Sequence, residues 1–202
     1  MKVVCLASGG IDSSVLMMML QKMKYEIYPL HIDYGQNAAK MELMSVRKIC
    51  KFLRIRPVVI KIPQIGEISS GITSQSKLTM ENPFFPARNL LFLSIATAYA
   101  ISKSVVTISI GSTANAIFPD QHKKFIRKAE ELLNIALGTR IKILTPLIEL
   151  NKREIVGLAK KYNFPLSFTY SCHLGKHKPC LRCINCKERE TAISLEYDGN
   201  KY

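Results

Sequence analysis

"VVCLASGGIDSSVLMMML", residues 3–20, decides the fold. It opens as an apolar, β-branched run and closes as an apolar stretch too long for one strand. Between them lie Ser8, Gly9, Gly10, Asp12, Ser13 and Ser14. A strand that turns through glycines into a helix is the first unit of an α/β domain. The two glycines let the backbone turn sharply and come close to a ligand. The first N–H groups of the helix have no partner within it, so together with the helix dipole they form an anion site. Ser8, Ser13 and Ser14 add hydroxyl donors. Asp12 is out of place beside a bare phosphate, and fits if Mg²⁺ lies between them. The connection has no lysine, unlike loops that grip the phosphates next to a transferred γ-phosphoryl group.

The alternation continues outward from this unit. Strands are expected over 2–7, 26–32, 57–62, 105–110 and 141–143. Helices are expected over 12–23, 38–53, 88–101, 119–137 and 152–162. The pattern predicts a doubly wound, mainly parallel sheet. Pro119 stands at a favourable helix start. Asn151 with Glu154 three residues on has the form of a capping box. Residues 63–87 lose periodicity and read as a long functional or mobile segment, and the last forty residues read as irregular. Residues 1–150 are expected to form the nucleotide-binding α/β domain. Residues 151–202 are expected to form a helix and a cysteine-rich segment packed on it.

The 202 residues carry 29 Lys and Arg against 15 Asp and Glu, a net charge of +14. That excess favours an anionic partner, either nucleic acid or phosphorylated small molecules, unless it is only a solvated surface. No apolar run reaches the about 18 residues of a membrane span, and the start reads as a strand rather than an export signal. A cytoplasmic protein is expected. Cys5 and Cys50 read as core residues. Cys172, Cys180, Cys183 and Cys186 follow the spacing C-x7-C-x2-C-x2-C. Without an export signal such clustering favours metal over disulfides. Four thiolates can close a structural Zn²⁺ shell. An iron–sulfur cluster is the rival, and His173 and His177 are bystanders.

"SGGIDSS", residues 8–14, resembles the SGGxDS signature of the PP-loop ATP pyrophosphatases. The resemblance implies cleavage of ATP between its α and β phosphates, with the loop holding pyrophosphate as it leaves. Further stretches narrow the likeness: "HIDYGQ" at 31–36, "FFPARNLLFLSIATAYA" at 84–100, "FPDQHKKFI" at 118–126, "TPLIELNKREIV" at 145–156 and "YSCHLGKHKPCLRCINCKER" at 170–189. In this order they resemble the 7-cyano-7-deazaguanine synthase (QueC) family over nearly the whole chain. This implies a Rossmann-like fold of the adenine nucleotide α-hydrolase type, with ATP and Mg²⁺ in the cleft and Zn²⁺ on the four cysteines. The implied activity is ligation of ammonia to 7-carboxy-7-deazaguanine through an acyl adenylate and an amide to the nitrile. It also implies a homodimer. A stable nucleic-acid complex is not expected, since no RNA-binding appendage is read in the sequence.

Roles follow by position. Ser8, Gly9, Gly10, Asp12, Ser13 and Ser14 would hold phosphates and Mg²⁺, with Ser8, Asp12 and Arg88 the catalytic set. His31, Asp33, Tyr34, Gly35 and Gln36 would lie near adenosine or the activated acid, although His31 alone also reads as a core histidine. Arg88 is costly to bury without an anion and is assigned to phosphate or carboxylate. Asn89 positions a ligand or caps its helix. Asp120 would recognise the deazaguanine edge, or is an exposed acid at a helix start.

The match departs in two places. The family has Gly in "PGRN" where this chain has Ala87. Its longer acidic segment ending in "YPDC" is here the shorter "GSTANAIFPDQ", residues 111–121. The second departure leaves open another acid or amine acceptor. With no glutaminase domain, ammonia is expected free or from another chain. Two rivals stand beside the ligase: a tRNA-modifying PP-loop enzyme using the positive charge, and a non-catalytic zinc module that leaves the loop unexplained.

Overall fold

The computed structural model describes residues 1–68, 73 and 85–198 of the chain. Five parallel strands, β1 (Lys2–Leu6), β2 (Glu26–Asp33), β3 (Val58–Lys61), β4 (Thr107–Ser109) and β5 (Lys142–Leu144), form one sheet in the order β3-β2-β1-β4-β5. Six α-helices connect or follow them: α1 (Ile11–Lys22), α2 (Ala39–Phe52), α3 (Arg88–Ser102), α4 (Lys123–Leu137), α5 (Lys152–Lys161) and α6 (Ile184–Asp198). The doubly wound parallel sheet expected from the alternation is the observed fold.

The central strand explains the layering. Side chains alternate across a strand, so Val3, Cys5 and Ala7 enter one core and Val4 and Leu6 the other. The first core takes in α1, α2, α5 and Ala192 of α6. The second takes in Leu93, Ala96 and Ala100 of α3 and Ile126, Ala129 and Leu133 of α4. Burial on both faces is why β1 reads as an unbroken apolar run rather than an alternating one. The capping box on α5 is present, with Glu154 N–H donating to Asn151 Oδ1 at 3.0 Å and Asn151 N–H to Glu154 Oε2 at 2.7 Å. Among the described residues no helix is long and apolar enough to cross a membrane.

Two expectations are corrected. The helix expected over 119–137 is broken: Pro119–Gln121 is a 3₁₀ turn, and His122, at φ −82° and ψ 155°, is extended and caps α4. Tertiary contacts hold the break. Asn89 Nδ2 donates to the Asp120 carbonyl at 3.0 Å, and His122 Nε2 donates to the Ala116 carbonyl at 2.9 Å. The tail is not irregular throughout either, since α6 is a fifteen-residue helix. Its apolar residues are few and divided between buried Ala192 and exposed Leu195, so no stripe marks it. Packing against α5 and the first core supplies what periodicity lacks. The expected long segment over 63–87 begins with a 3₁₀ turn, Pro63–Ile68. Most of the rest, including Phe84, lies outside the described residues.

Candidate active site

The carboxyl ends of β1, β2 and β4 open onto a cleft of about 250 Å³. It lies where the strand order reverses between β1 and β4, the place where open parallel sheets bind ligands. Ser8, Gly10, Ile11, Asp12 and Ser13 form one wall. Gly10 caps α1 without a side-chain hydrogen bond, leaving the first-turn amides for a ligand. The loop is internally tied. Ser8 Oγ and Ser13 Oγ are 3.0 Å apart, and Gly10 N–H donates to Ser8 Oγ at 3.3 Å. Gly9 stands behind the wall at φ 80°. A Cβ there would come within 2.7 Å of the Glu42 carbonyl oxygen, so the close approach of α2 requires glycine. Its own carbonyl accepts from Ser45 Oγ at 2.9 Å and Tyr170 N–H at 2.8 Å. Ser14 is buried, its hydroxyl donating back to Gly10 O at 2.6 Å.

A lysine stands in this wall after all, supplied from the far end of the chain. Lys152, the first residue of α5, donates to both Asp12 oxygens at 2.6 and 2.8 Å, and lies 3.5 Å from Glu188 of α6. All three line the cleft. Asp12 thus offers oxygen ligands of the kind Mg²⁺ takes, held beside a cation and the positive end of α1.

The other wall comes from β2, α2 and α3. His31 is buried, and its Nδ1 lies 2.8 Å from the Ala7 carbonyl. A carbonyl only accepts, so Nδ1 carries the proton and Nε2 is a bare acceptor. Burial lowers the His31 pKa, which keeps the ring neutral. Its Nε2 and Ser112 Oγ are buried atoms without protein partners, and both residues line the cleft. Tyr34 packs edge-on to Phe85 at 5.8 Å and tilted on Phe92 at 5.1 Å, and burial pushes its phenol up to about 12. Arg88, in the first turn of α3, works against that rise. Ahead of it Ala87 is left-handed, at φ 55°.

Glu42, in the first turn of α2, places its carboxyl in the same wall. Gln36 Nε2 donates to Glu42 Oε2 at 2.8 Å, while Gln36 Oε1 accepts from Tyr34 N–H at 2.9 Å. Burial pushes Glu42 up to about 7, with Gln36 and Arg88 working against the rise and Asp33 adding to it.

Of the residues expected here, Ser8, Gly10, Asp12, Ser13, His31, Tyr34, Arg88 and Asn89 line one cleft. Gly9, Ser14, Asp33, Gly35, Gln36 and Asp120 do not. Asp33 Oδ1 accepts from Gly35 N–H at 3.2 Å and shapes the turn after β2. Asp120 Oδ2 accepts from Asn89 N–H at 3.0 Å, turning its carboxylate onto α3, and its neighbour Gln121 faces the cleft instead. Sequence reasoning marked the segment 111–121, which holds Ser112 and Gln121, and missed Glu42, Lys152, Asn185, Glu188 and Arg189; all seven are in the lining. Lys152 had a signal, since it opens the helix that follows β5. Asn185, Glu188 and Arg189 lie within the stretch 170–189, but only the helix α6 turns them into the cleft.

The four cysteines lie beside the cleft, not in it. Their sulfurs all fall within 4.8 Å of one another, with Cys180 and Cys186 3.9 Å apart. Thiolates about 2.3 Å from one tetrahedral ion would stand roughly 3.8 Å apart, so the set fits a single metal. Leu181, left-handed at φ 57°, turns the amides of Arg182 and Cys183 onto Cys180 Sγ at 3.5 and 3.3 Å. Burial raises the Cys180 thiol, but these amides and the neighbouring thiols outweigh it and bring it down to about 6. Cys183 and Cys186 bracket the start of α6, whose next turns carry Glu188 and Arg189 into the cleft. Arg189 is anchored by Thr169 Oγ1 and by the Leu166 carbonyl at 2.9 Å.

The family model described as queuosine biosynthesis protein QueC matches residues 2–196. The chain is 33% identical to a 7-cyano-7-deazaguanine synthase of Methanobrevibacter smithii, covering 96% of this chain and 93% of the relative. It is 37% identical to that of Picrophilus torridus, over 92% and 84%. Solved structures share the fold at low identity. NMN synthetase of Francisella tularensis aligns with a TM-score of 0.59 at 18% identity, over 100% of this chain and 78% of that one. The U34-tRNA thiolase NcsA of Methanococcus maripaludis aligns at 0.56 and 15%, over 99% and 67%.

Proposed function

The chain belongs to the family of queuosine biosynthesis protein QueC, and from that premise we propose that it converts 7-carboxy-7-deazaguanine and ammonia to 7-cyano-7-deazaguanine, splitting ATP to AMP and pyrophosphate. The observation that carries this reading is the shared cleft. A helix start without a side-chain cap, with Ser8, Ser13, Asp12 and Lys152, faces Arg88, Glu42 and two unpartnered polar atoms across about 250 Å³.

The chemistry follows from these groups. A carboxylate is a poor electrophile, and adenylation gives it a leaving group. The α1 amides, Ser8 and Ser13 would stabilise charge on the departing pyrophosphate. Lys152 supplies the cation that the loop lacks. Asp12 would hold Mg²⁺, which neutralises phosphate charge when bound. His31 Nε2 accepts and the Ser112 hydroxyl accepts or donates, which suits a nucleoside's amine and hydroxyl groups. Arg88 would pair with the substrate carboxylate or the α-phosphate. Gln121 faces the cleft where the base must be read. Cys172, Cys180, Cys183 and Cys186 would hold Zn²⁺; their compactness supports one ion over a cluster, which spreads its thiolates over several irons. Six unpaired cysteines support a cytoplasmic, reducing compartment. The same reading includes the homodimer expected of the family.

The test supplies ATP, Mg²⁺, ammonium and 7-carboxy-7-deazaguanine and follows products by mass spectrometry. The nitrile, AMP and pyrophosphate are expected together. AMP released with tRNA but not with this acid would reverse the assignment in favour of a tRNA-modifying enzyme.

A further inference from the structure

We propose that Glu42 is the general base that takes protons from nitrogen during C–N bond formation and nitrile formation. The inference rests on the ligase reading above and adds a catalytic residue to it.

The cleft holds three carboxyl groups among the described residues: Asp12, Glu42 and Glu188. Asp12 and Glu188 both face Lys152 at the phosphate end. Among the described residues Glu42 has no such ion pair; its fixed partner is the neutral Gln36 amide at 2.8 Å. That amide is itself pinned by Tyr34 N–H, so the carboxyl is aimed by the turn after β2. The backbone of Glu42 abuts the phosphate loop at Gly9, and Arg88 lies near its carboxyl. Glu42 therefore stands between the loop that holds the leaving group and the arginine that faces the acid. The ionisable groups around it are Asp33 and Tyr34 from the end of β2, Arg88 from α3 and Tyr170 from the segment before the cysteines. A base works best with a pKa close to the working pH, and burial sets Glu42 at about 7.

The reaction needs such a base at three steps. When ammonia attacks the acyl adenylate, its lone pair forms the C–N bond, the acyl C–O bond breaks toward AMP, and nitrogen sheds a proton to Glu42. In the second cycle the amide oxygen attacks the α-phosphorus of a second ATP, pyrophosphate leaves, and nitrogen gives up one proton to leave the C=N–H imidate. Loss of the last N–H proton then forms the triple bond as the C–O bond breaks toward AMP. Adenylation of the acid itself needs no base, because the acid is already a carboxylate.

That difference makes the test. The acid-dependent exchange of labelled pyrophosphate into ATP reports adenylation alone; ammonia-dependent formation of amide and nitrile reports the proton transfers. In Glu42→Gln, nitrile formation is expected to fall by about 10²- to 10⁴-fold, and by at least about tenfold more than exchange does. Glu42→Asp, which keeps a carboxyl, should retain a rising limb near pH 7 with rates referred to unprotonated ammonia, and Glu42→Gln should lose it. Parallel loss of exchange and nitrile formation overturns the proposal, as does undiminished turnover in Glu42→Gln. So does a wild-type rate that shows no rising limb near neutrality, a measurement that holds even if the glutamine variant does not fold. Absence of acid-dependent exchange in the wild type would instead remove the ligase reading itself.

Discussion

The ammonium group of Lys152 lies 2.6 and 2.8 Å from the two carboxylate oxygens of Asp12, across 140 residues of chain. The pair is partly shielded, with side chains 15% and 27% exposed, so it is held more firmly than a surface ion pair. It joins the first turn of α1 to the first turn of α5 and places a cation where the phosphate loop has none. In the proposed reaction Asp12 would hold Mg²⁺ and Lys152 would pair with a phosphate.

Lys152→Met should therefore weaken the phosphate end without emptying the cysteine site. A charge-assisted contact is worth about 1.5–3 kcal/mol, so pyrophosphate exchange should fall by roughly 10- to 100-fold in kcat/KM for ATP. Steady-state exchange with bound-metal analysis checks this. Unchanged exchange would confine Lys152 to positioning Asp12.

Asp12→Ala should abolish AMP release while metal content at the cysteines stays at the wild-type level. Asp12 and the sulfur cluster are separate in the structure, so the two readouts are independent. Retained turnover would remove Asp12 from the Mg²⁺ role.

Ala87 occupies the left-handed region at φ 55° and ψ 21°. An L-residue pays roughly 1–2 kcal/mol there and glycine nothing, less the chain entropy that glycine adds to the unfolded state. Ala87→Gly should stabilise the protein by about 1 kcal/mol, a rise of about 2–4 °C in Tm for a chain of this size. Thermal melts decide it; a lower Tm would show that the Ala87 methyl makes contacts worth more than the strain.

Burial raises Glu42 from its usual 4.5 to about 7. A folded state that binds the proton more tightly has its full advantage below about pH 4.5 and loses it as the pH rises through about 7. Glu42→Gln removes that titration. Its Tm relative to wild type should be higher at pH 8 than at pH 5, as read by melts across that range. An equal difference at both pH values would mean that Glu42 does not carry the titration.

Chelation, or Cys183→Ser, should loosen the cleft wall as well as the cysteine site. Cys183 and Cys186 hold the start of α6, and Glu188 and Arg189 follow in the same helix. Loss of metal should lower the far-UV helix signal and weaken ATP binding measured by calorimetry. ATP affinity unchanged after complete metal removal would show that α6 is held by α5 and the core alone.

The sequence by itself determined the parallel sheet, the glycine turn of residues 8–14 and the four-cysteine set, because each is a local pattern. Periodicity marks strands and helices, glycines mark a turn, and close spacing brings thiolates together. It also marked Ala87, where glycine was expected and the backbone proves left-handed. Only the tertiary structure decided which polar groups face a ligand. Asp120 and Gln121 are neighbours, yet contact with Asn89 turns one onto α3 while the other faces the cleft. Gln36 turned inward to hold Glu42, a residue no motif had marked. The break at His122 and the helix α6 likewise depend on partners distant in sequence. The lysine missing from residues 8–14 was in the chain all along; it became part of the loop only when α5 packed against α1.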